Sequence, residues 1–352
     1  MIRGTILALA LCALTAPAFA QAPLPPPTAY KAPRAADGHP DLGGYWTNAS
    51  LTRLERNPRY GDHIILTEAE AAEIEGKNNA LIALGAKPTA MGATVRDLPA
   101  DCSDGRGTNC NYNAGWTDPG VSVMRVAGKP RSGFITSTPD GRVPLRPGLS
   151  VDPFGRTALP PGLAINDNPE SRALGERCLL AFGFSSGPVM QPVLYNNLYQ
   201  IVQTAEAVVM VVEMVHDARI FRLKAGPLPA GIRPWMGDSL AHWEGQTLVV
   251  ETSRFHPEQS FRGASDHLRV TERFTRVAAD RIHYGFWVED PTVFKAPWGG
   301  EYEFARSPGP VYEYACHEGN YGLVGILGGA REEERSGQAH DKAADSTEEE
   351  EK

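Results

Sequence analysis

From Leu198 onward the sequence reads as strand after strand, with no helical crossover between them. "LYQIVQT", the long run "AVVMVVEMVHDARIFRL", "QTLVVETSRF", "HLRVTERFTRV", "DRIHYGFWVED", "GEYEFAR" and "VYEYACHE" follow one another across short turns. Parallel neighbours need a crossover of a dozen or more residues, usually a helix. Without one, a parallel α/β sheet is excluded and an antiparallel meander is expected. The span holds about eight strands, which suits a mainly β fold: an antiparallel barrel or strongly curved sheet, lipocalin-like in general architecture.

Alternation within these runs assigns faces. Ile282, Tyr284, Phe286 and Val288 share one side of "RIHYGFWVED". Leu268, Val270 and Phe274 share one side of "HLRVTERFTRV", but Glu272 falls among them. A carboxylate on an apolar face is costly unless it is paired. Read as one continuous strand, the long run places Glu213, Asp217 and Arg219 with Val209, Val211, Val215 and Phe221. His216 then lies opposite, with Met210, Val212 and Met214. A bulge would change that register.

The first half is different. Residues 1–20 carry Arg3, a short apolar core and Ala18-Phe19-Ala20, the pattern of a cleaved export signal. That core is too short to span a bilayer, and no later segment reaches the length. Export to the periplasm or beyond is therefore expected, with no membrane span. Residues 21–43 are a Pro/Ala-rich linker, and "GYWTNASL" reads as a short edge strand opening a single β-rich domain over 44–330. "LTEAEAAEIEGKNNALIALG" is the one short helix. Thr67 and Glu70 have capping-box spacing, so Thr67 is the expected N-cap. "SGFITSTPDGRVPL" reads as a strand running into a turn. Residues 331–352 hold nine acidic and four basic side chains and read as a disordered tail. No basic stripe points to nucleic acid.

After signal cleavage four cysteines remain: Cys102, Cys110, Cys178 and Cys316. An even number in an exported chain favours disulfides. Cys102 and Cys110 are close enough in a Gly/Asn-rich loop to form a local clip, which leaves Cys178 with Cys316.

Several blocks carry a resemblance. "YNNLYQIVQT", "EMVHDARI", "WMGDSLAHWEGQTLVVETSRF", "FWVEDPTVFKAPW" and "YEYACHEGNYG" resemble a large family of exported proteins from Gram-negative bacteria, over roughly residues 40–330. The resemblance implies kinship and export, not a reaction. In that family a "GERC" block and the "YACHEGNY" block occur together, and here they hold Cys178 and Cys316.

Four clusters could carry chemistry. "GFSSG" fits a nucleophile elbow in spacing, but Pro188 and Pro192 block the helix that an elbow needs. It reads as a glycine-serine loop. In "EMVHDAR", Glu213, Asp217 and Arg219 can meet as a buried charge cluster or as a carboxylate tuned for proton transfer. In "GDSLAHWEGQT", His242 could serve as an acid or base, or Trp243 could simply pack on the core. His317 and Glu318 follow Cys316, so a disulfide would place them on a fixed platform, as acid/base geometry requires.

The expected function is an exported enzyme acting on a small, partly apolar molecule by His/carboxylate acid–base chemistry, as a lyase, isomerase or hydrolase. His317, His216, His242, Glu318, Asp217 and Arg219 are its candidate catalytic residues. Tyr199, Glu213, Trp235, Trp243 and Tyr314 are the candidate lining. The alternative is a non-catalytic, lipocalin-like carrier. No cofactor is expected. The three histidines could only meet as a divalent-metal centre without any HxH or HExxH spacing to support it. Histidines that are all exposed and remote from a cavity would favour the carrier.

Overall fold

The computed structural model describes residues 22–25, 29–85, 91–92, 118–149, 163–182, 185–187, 189–259 and 261–337. Cys102 and Cys110 lie outside the described residues, as does the expected signal segment. The fold is mainly β, a closed barrel of nine strands. They are β1 (Gly44–Thr47), then, after α1 (Glu68–Gly85) and a two-stranded hairpin β2 (Arg125–Val126) and β3 (Lys129–Pro130), the consecutive strands β4 (Leu198–Gln203), β5 (Ala207–Val212), β6 (Ala218–Arg222), β7 (Asp238–Glu244), β8 (Thr247–Ser253), β9 (Arg269–Ala278), β10 (Arg281–Glu289) and β11 (Trp298–Arg306). A second helix, α2 (Tyr321–Ser336), follows.

Neighbours run in the order β4 to β11, and β1 closes the ring by pairing antiparallel with both β11 and β4. "GYWTNASL" is thus a closing strand, not an edge. A ring of nine strands cannot be antiparallel throughout, because alternating direction an odd number of times returns the wrong sense. The parallel contact falls between β6 and β7, where only Arg222 and Leu240 are partnered. The long connection over 223–237 makes the return. It is held by Asp238, which takes the Leu228 N–H at 2.8 Å and pairs with Arg222.

Interior faces follow the alternation. Ile282, Tyr284, Phe286, Val288, Val270 and Phe274 are all buried in the barrel core. Glu272 points inward with them, and its charge is matched: Arg219 reaches it through both terminal nitrogens, at 2.8 and 2.5 Å. The long run is not one strand. A turn over 213–217 splits it into β5 and β6, with Val215 at φ 59. A β-branched residue in that region is strained, and the position interrupts the strand pattern. Arg219 therefore sits across from Met210, and Phe221 across from Val208. Both are inside with Met210 and Val212, not with Val209 and Val211 as continuous alternation implies.

Three more expectations are corrected. "SGFITSTPDGRVPL" forms no named strand: Ile135 bridges Gly300 on β11, beyond the reach of short β1. "VYEYACHE" forms no strand either, because it leaves the barrel toward α2. And α2 runs through Ser336, past the Arg331 boundary assigned to the tail, so 331–336 are helical. Residues 338–352 lie outside the described residues. The capping box at α1 is present, with Thr67 N–H donating to Glu70 at 2.7 Å and Glu70 N–H donating to Thr67 Oγ1 at 3.2 Å. Among the described residues, no helix is long and apolar enough to cross a membrane.

Candidate functional site

At one end of the barrel three segments distant in sequence come together: 175–182, the 213–217 turn, and 312–326. A disulfide joins Cys178 to Cys316 across 138 residues, with Cα atoms 5.8 Å apart. Two carboxylates from the β5–β6 turn secure the approach. Asp217 accepts the Ala181 N–H at 2.9 Å, and Glu213 accepts the Tyr312 N–H at 3.1 Å. Both are buried. They act here as clamps that tie each of these two loops to the β5–β6 turn. Met214, Val215 and Ala181 form a small apolar cluster beneath, against which Phe182, Tyr195 and Tyr314 pack.

Above this floor lies a groove of about 540 Å³. Phe182, Tyr314, Leu323 and Ile326 give it an apolar side, Asn196 and Asn320 a polar one, and the disulfide forms part of its wall. The volume is in the range that small-ligand sites occupy. Asn320 is the N-cap of α2, accepting from Leu323 N–H at 3.3 Å while its amide nitrogen donates to the Glu176 carbonyl at 2.7 Å. That cap fixes the helix so that Leu323 and Ile326 face the groove. Asn196 has no side-chain partner among the described residues. Burial, with the Tyr195 hydroxyl hydrogen-bonded to it, pushes Tyr314 up to about 12, so it stays a neutral phenol. Among the described residues, two carboxylates line the groove, Glu176 and Glu313, and no lysine or arginine does. Glu176 is matched by Arg172 at 2.5 Å, and Glu313 is exposed at the rim. The local field therefore favours neutral or cationic molecules over anions.

Of the residues singled out from sequence, the structure gathers Cys178, Cys316 and Tyr314 in this groove and Glu213 and Asp217 in its supports. The backbone of His216 lies in the same turn; its side chain is outside what is described. His317 and Glu318 are exposed beside the disulfide and hold no side-chain partner among the described residues. His242 is exposed on β7, 3.2 Å from Glu244, whose carboxyl is held below its ordinary value chiefly by the Arg273 hydrogen bond. Trp243 stacks on His39 and Trp235 on His256, neither of them lining the groove. Among the described residues no three His, Cys, Asp or Glu side chains stand together as a metal site.

Arg219 and Tyr199 instead belong to a polar network sealed in the barrel. Arg219 grips Glu272, Tyr284 donates to Glu272 at 2.7 Å, and the Asn48 amide nitrogen donates to Tyr199 and Tyr302 at 3.1 and 3.2 Å. Burial pulls Arg219 down, but Glu272 outweighs it and keeps the guanidinium charged. Burial pushes Tyr284 and Tyr302 well above the ordinary phenol value, and the Glu272 charge adds to it.

Sequence reasoning missed Phe182, Asn196, Leu323 and Ile326. "NYGLVGIL" carried the signal for the last two, since Asn before an apolar run is an N-cap pattern. Its glycines made it read as a turn. No family model, curated protein or solved structure matches this chain.

Proposed function

We propose that this chain is an exported small-molecule-binding protein, a barrel whose ligand lies in the groove between α2 and the Cys178–Cys316 disulfide. The observation that carries the reading is the groove itself, half apolar and half polar, with walls fixed by a covalent bridge and two buried carboxylate clamps. The absence of basic groups among the described residues of its lining supports a neutral or cationic, partly apolar ligand. The acid–base enzyme ranks second. Its one support is that His317 and Glu318 directly follow Cys316 at the groove's edge; against it, both are exposed and His242 is elsewhere.

The test is a thermal-shift screen of the mature protein with neutral and cationic aromatic, glycosidic and terpenoid compounds. A true ligand at a hundred times its Kd adds about 2.7 kcal/mol of stability. Leu323→Trp, which fills the groove, should abolish the shift, and Cys316→Ser should weaken it by freeing one wall. Hits that bind Leu323→Trp unchanged, or no hits in any class, would refute the groove as the site. Turnover of a hit, lost in His317→Ala, would promote the enzyme reading.

A further inference from the structure

The Cys178–Cys316 bond is part of the groove's wall, so whatever enters the groove meets its sulfurs. The two cysteines are not alike. Cys178 is 7% exposed and sits in a tight turn, where its N–H donates to the Gly175 carbonyl at 3.1 Å. Cys316 is half-buried, on the segment that leaves the barrel. Gly319 and Gly322 follow it in the lining, and a Cβ on Gly322 would meet nothing within 4 Å.

Disulfide exchange depends on access to the attacked sulfur and on how well the other sulfur leaves as a thiolate. Access favours attack at Cys316. The leaving sulfur is then Cys178, and a hydrogen-bond donor already points at it: Asn320 Nδ2, at 3.6 Å. Asn320 is also the N-cap of the 16-residue helix α2, so Cys178 Sγ lies by the positive end of that helix, where a thiolate is stabilised. Neither feature is needed by a bond that only braces two loops. Nor is the bond the loops' one tie. Asn320 Nδ2 also donates to the Glu176 carbonyl at 2.7 Å, and Asp217 and Glu213 hold the two loops to the β5–β6 turn. Those hydrogen bonds remain when the sulfurs part, so the groove keeps its supports.

We infer that the groove is a site of thiol–disulfide exchange, at which a small aminothiol becomes joined to Cys316. The thiol arrives as its thiolate, its proton left to solvent. Its sulfur bonds to Cys316 Sγ and the Cys178–Cys316 bond breaks. The electron pair of that bond goes to Cys178, whose thiolate accepts the Asn320 N–H. One disulfide replaces another with no net oxidation, and return attack by Cys178 releases the thiol. The lining sets the class. Glu176 is matched by Arg172, which leaves Glu313 as the unbalanced charge among the described lining residues. An aminothiol meets that charge as a neutral zwitterion, an acidic thiol as a dianion. The inference uses the groove's geometry and needs no resident ligand.

The probe is cysteamine, incubated with the mature oxidised chain in native buffer, then quenched with acid and mapped by mass spectrometry. The expected product carries cysteamine on Cys316 and a free thiol on Cys178, with the barrel amides as protected from hydrogen exchange as before. Asn320→Ser keeps a capping oxygen on α2 but loses the amide donor. Exchange should then slow about fivefold, the effect of one hydrogen bond to the leaving sulfur. Thioglycolate, an acidic thiol of similar size, should react severalfold more slowly than cysteamine, once each rate is divided by that thiol's rate on a short peptide disulfide. Glu313→Gln should remove that difference. Exchange that needs denaturant, cysteamine found on Cys178, unchanged or faster exchange in Asn320→Ser, or equal normalised rates for the two thiols would each overturn the inference. If Asn320→Ser does not fold, the product map and the thiol comparison on the unaltered chain decide. Groove ligands found by thermal shift leave the proposed function standing if exchange fails, and exchange in the absence of any such ligand leaves this inference standing.

Discussion

Strands β9, β10 and β11 bury charge on both of their faces, and the two faces solve the problem differently. Inside, Glu272 meets Arg219 in a two-point pair whose side chains are 0 and 1% exposed. Outside, Glu301 meets Arg131 at 2.5 Å and His283 at 2.9 Å under a cover built by the first half of the chain. That cover includes the β2–β3 hairpin, where the Ala127 N–H donates to Glu303 at 2.8 Å, and the Pro23 carbonyl, which rests on Gly285. The inner pair is enclosed by the barrel's own closure. The outer one is enclosed only by segments laid over it. Charge inside is thus tied to whether the barrel closes, and charge outside to whether the cover docks.

The largest expected effect tests the inner pair. Glu272→Gln or Arg219→Met alone should cost about 3–5 kcal/mol in denaturant unfolding, because one buried charge loses its counterpart. The double variant Arg219→Met/Glu272→Leu should recover most of that. A single variant costing under about 1 kcal/mol would mean that water reaches the pair and the barrel is not sealed.

The outer cluster should answer to pH. Burial pushes Glu301 up, but the His283 hydrogen bond and the charges of His283 and Arg131 outweigh it and hold the carboxyl below its ordinary value. Its folded form binds a proton less readily than its unfolded form. The stability it contributes is therefore fully present above about pH 4.3, the ordinary glutamate value, and is lost as pH falls through the lower folded value. Unfolding free energy measured from pH 6 down to pH 3 should fall less steeply in Glu301→Gln. Equal slopes would show that the cover leaves Glu301 in solvent.

Smallest is the cover's own attachment. A Cβ at Gly285 would lie 2.2 Å from the Pro23 carbonyl oxygen. Gly285→Ala should displace residues 22–25 and cost about 1 kcal/mol, the low end for overpacking. Limited proteolysis should then cut near Pro23 while the barrel stays intact. A loss as large as that of Glu272→Gln would erase the distinction between the two faces.

The inner face was legible because a strand repeats every two residues. Tyr284, Phe286 and Phe274 announced an inward side, and Glu272 among them announced a missing partner. Its partner, Arg219, was misassigned to a neighbouring set because Val215 takes a backbone conformation that its own side chain disfavours. Nothing in "EMVHDARI" signals that turn. The outer cover was not legible at all: the approach of Pro23 to Gly285, or of Arg131 to Glu301, has no period and spans more than a hundred residues. The candidate site was half legible. Cysteine parity led to Cys178 and Cys316, and Tyr314 was named among the lining aromatics, whereas the apolar wall from α2 was hidden by its own glycines.

The lone parallel contact between β6 and β7 has a consequence for how such a barrel can change over time. Adding or removing a whole hairpin alters the strand number by two, so an odd ring stays odd. One same-direction neighbour must then survive every such event, together with a connection long enough to carry the chain back along the wall. Only the gain or loss of a single strand could abolish it. In this chain that strand would have to lie at the seam itself: without β6, β5 would neighbour β7 and run antiparallel to it. Losing β1, the four-residue closer, would instead bring β4 and β11, both antiparallel to it, together as a second same-direction pair.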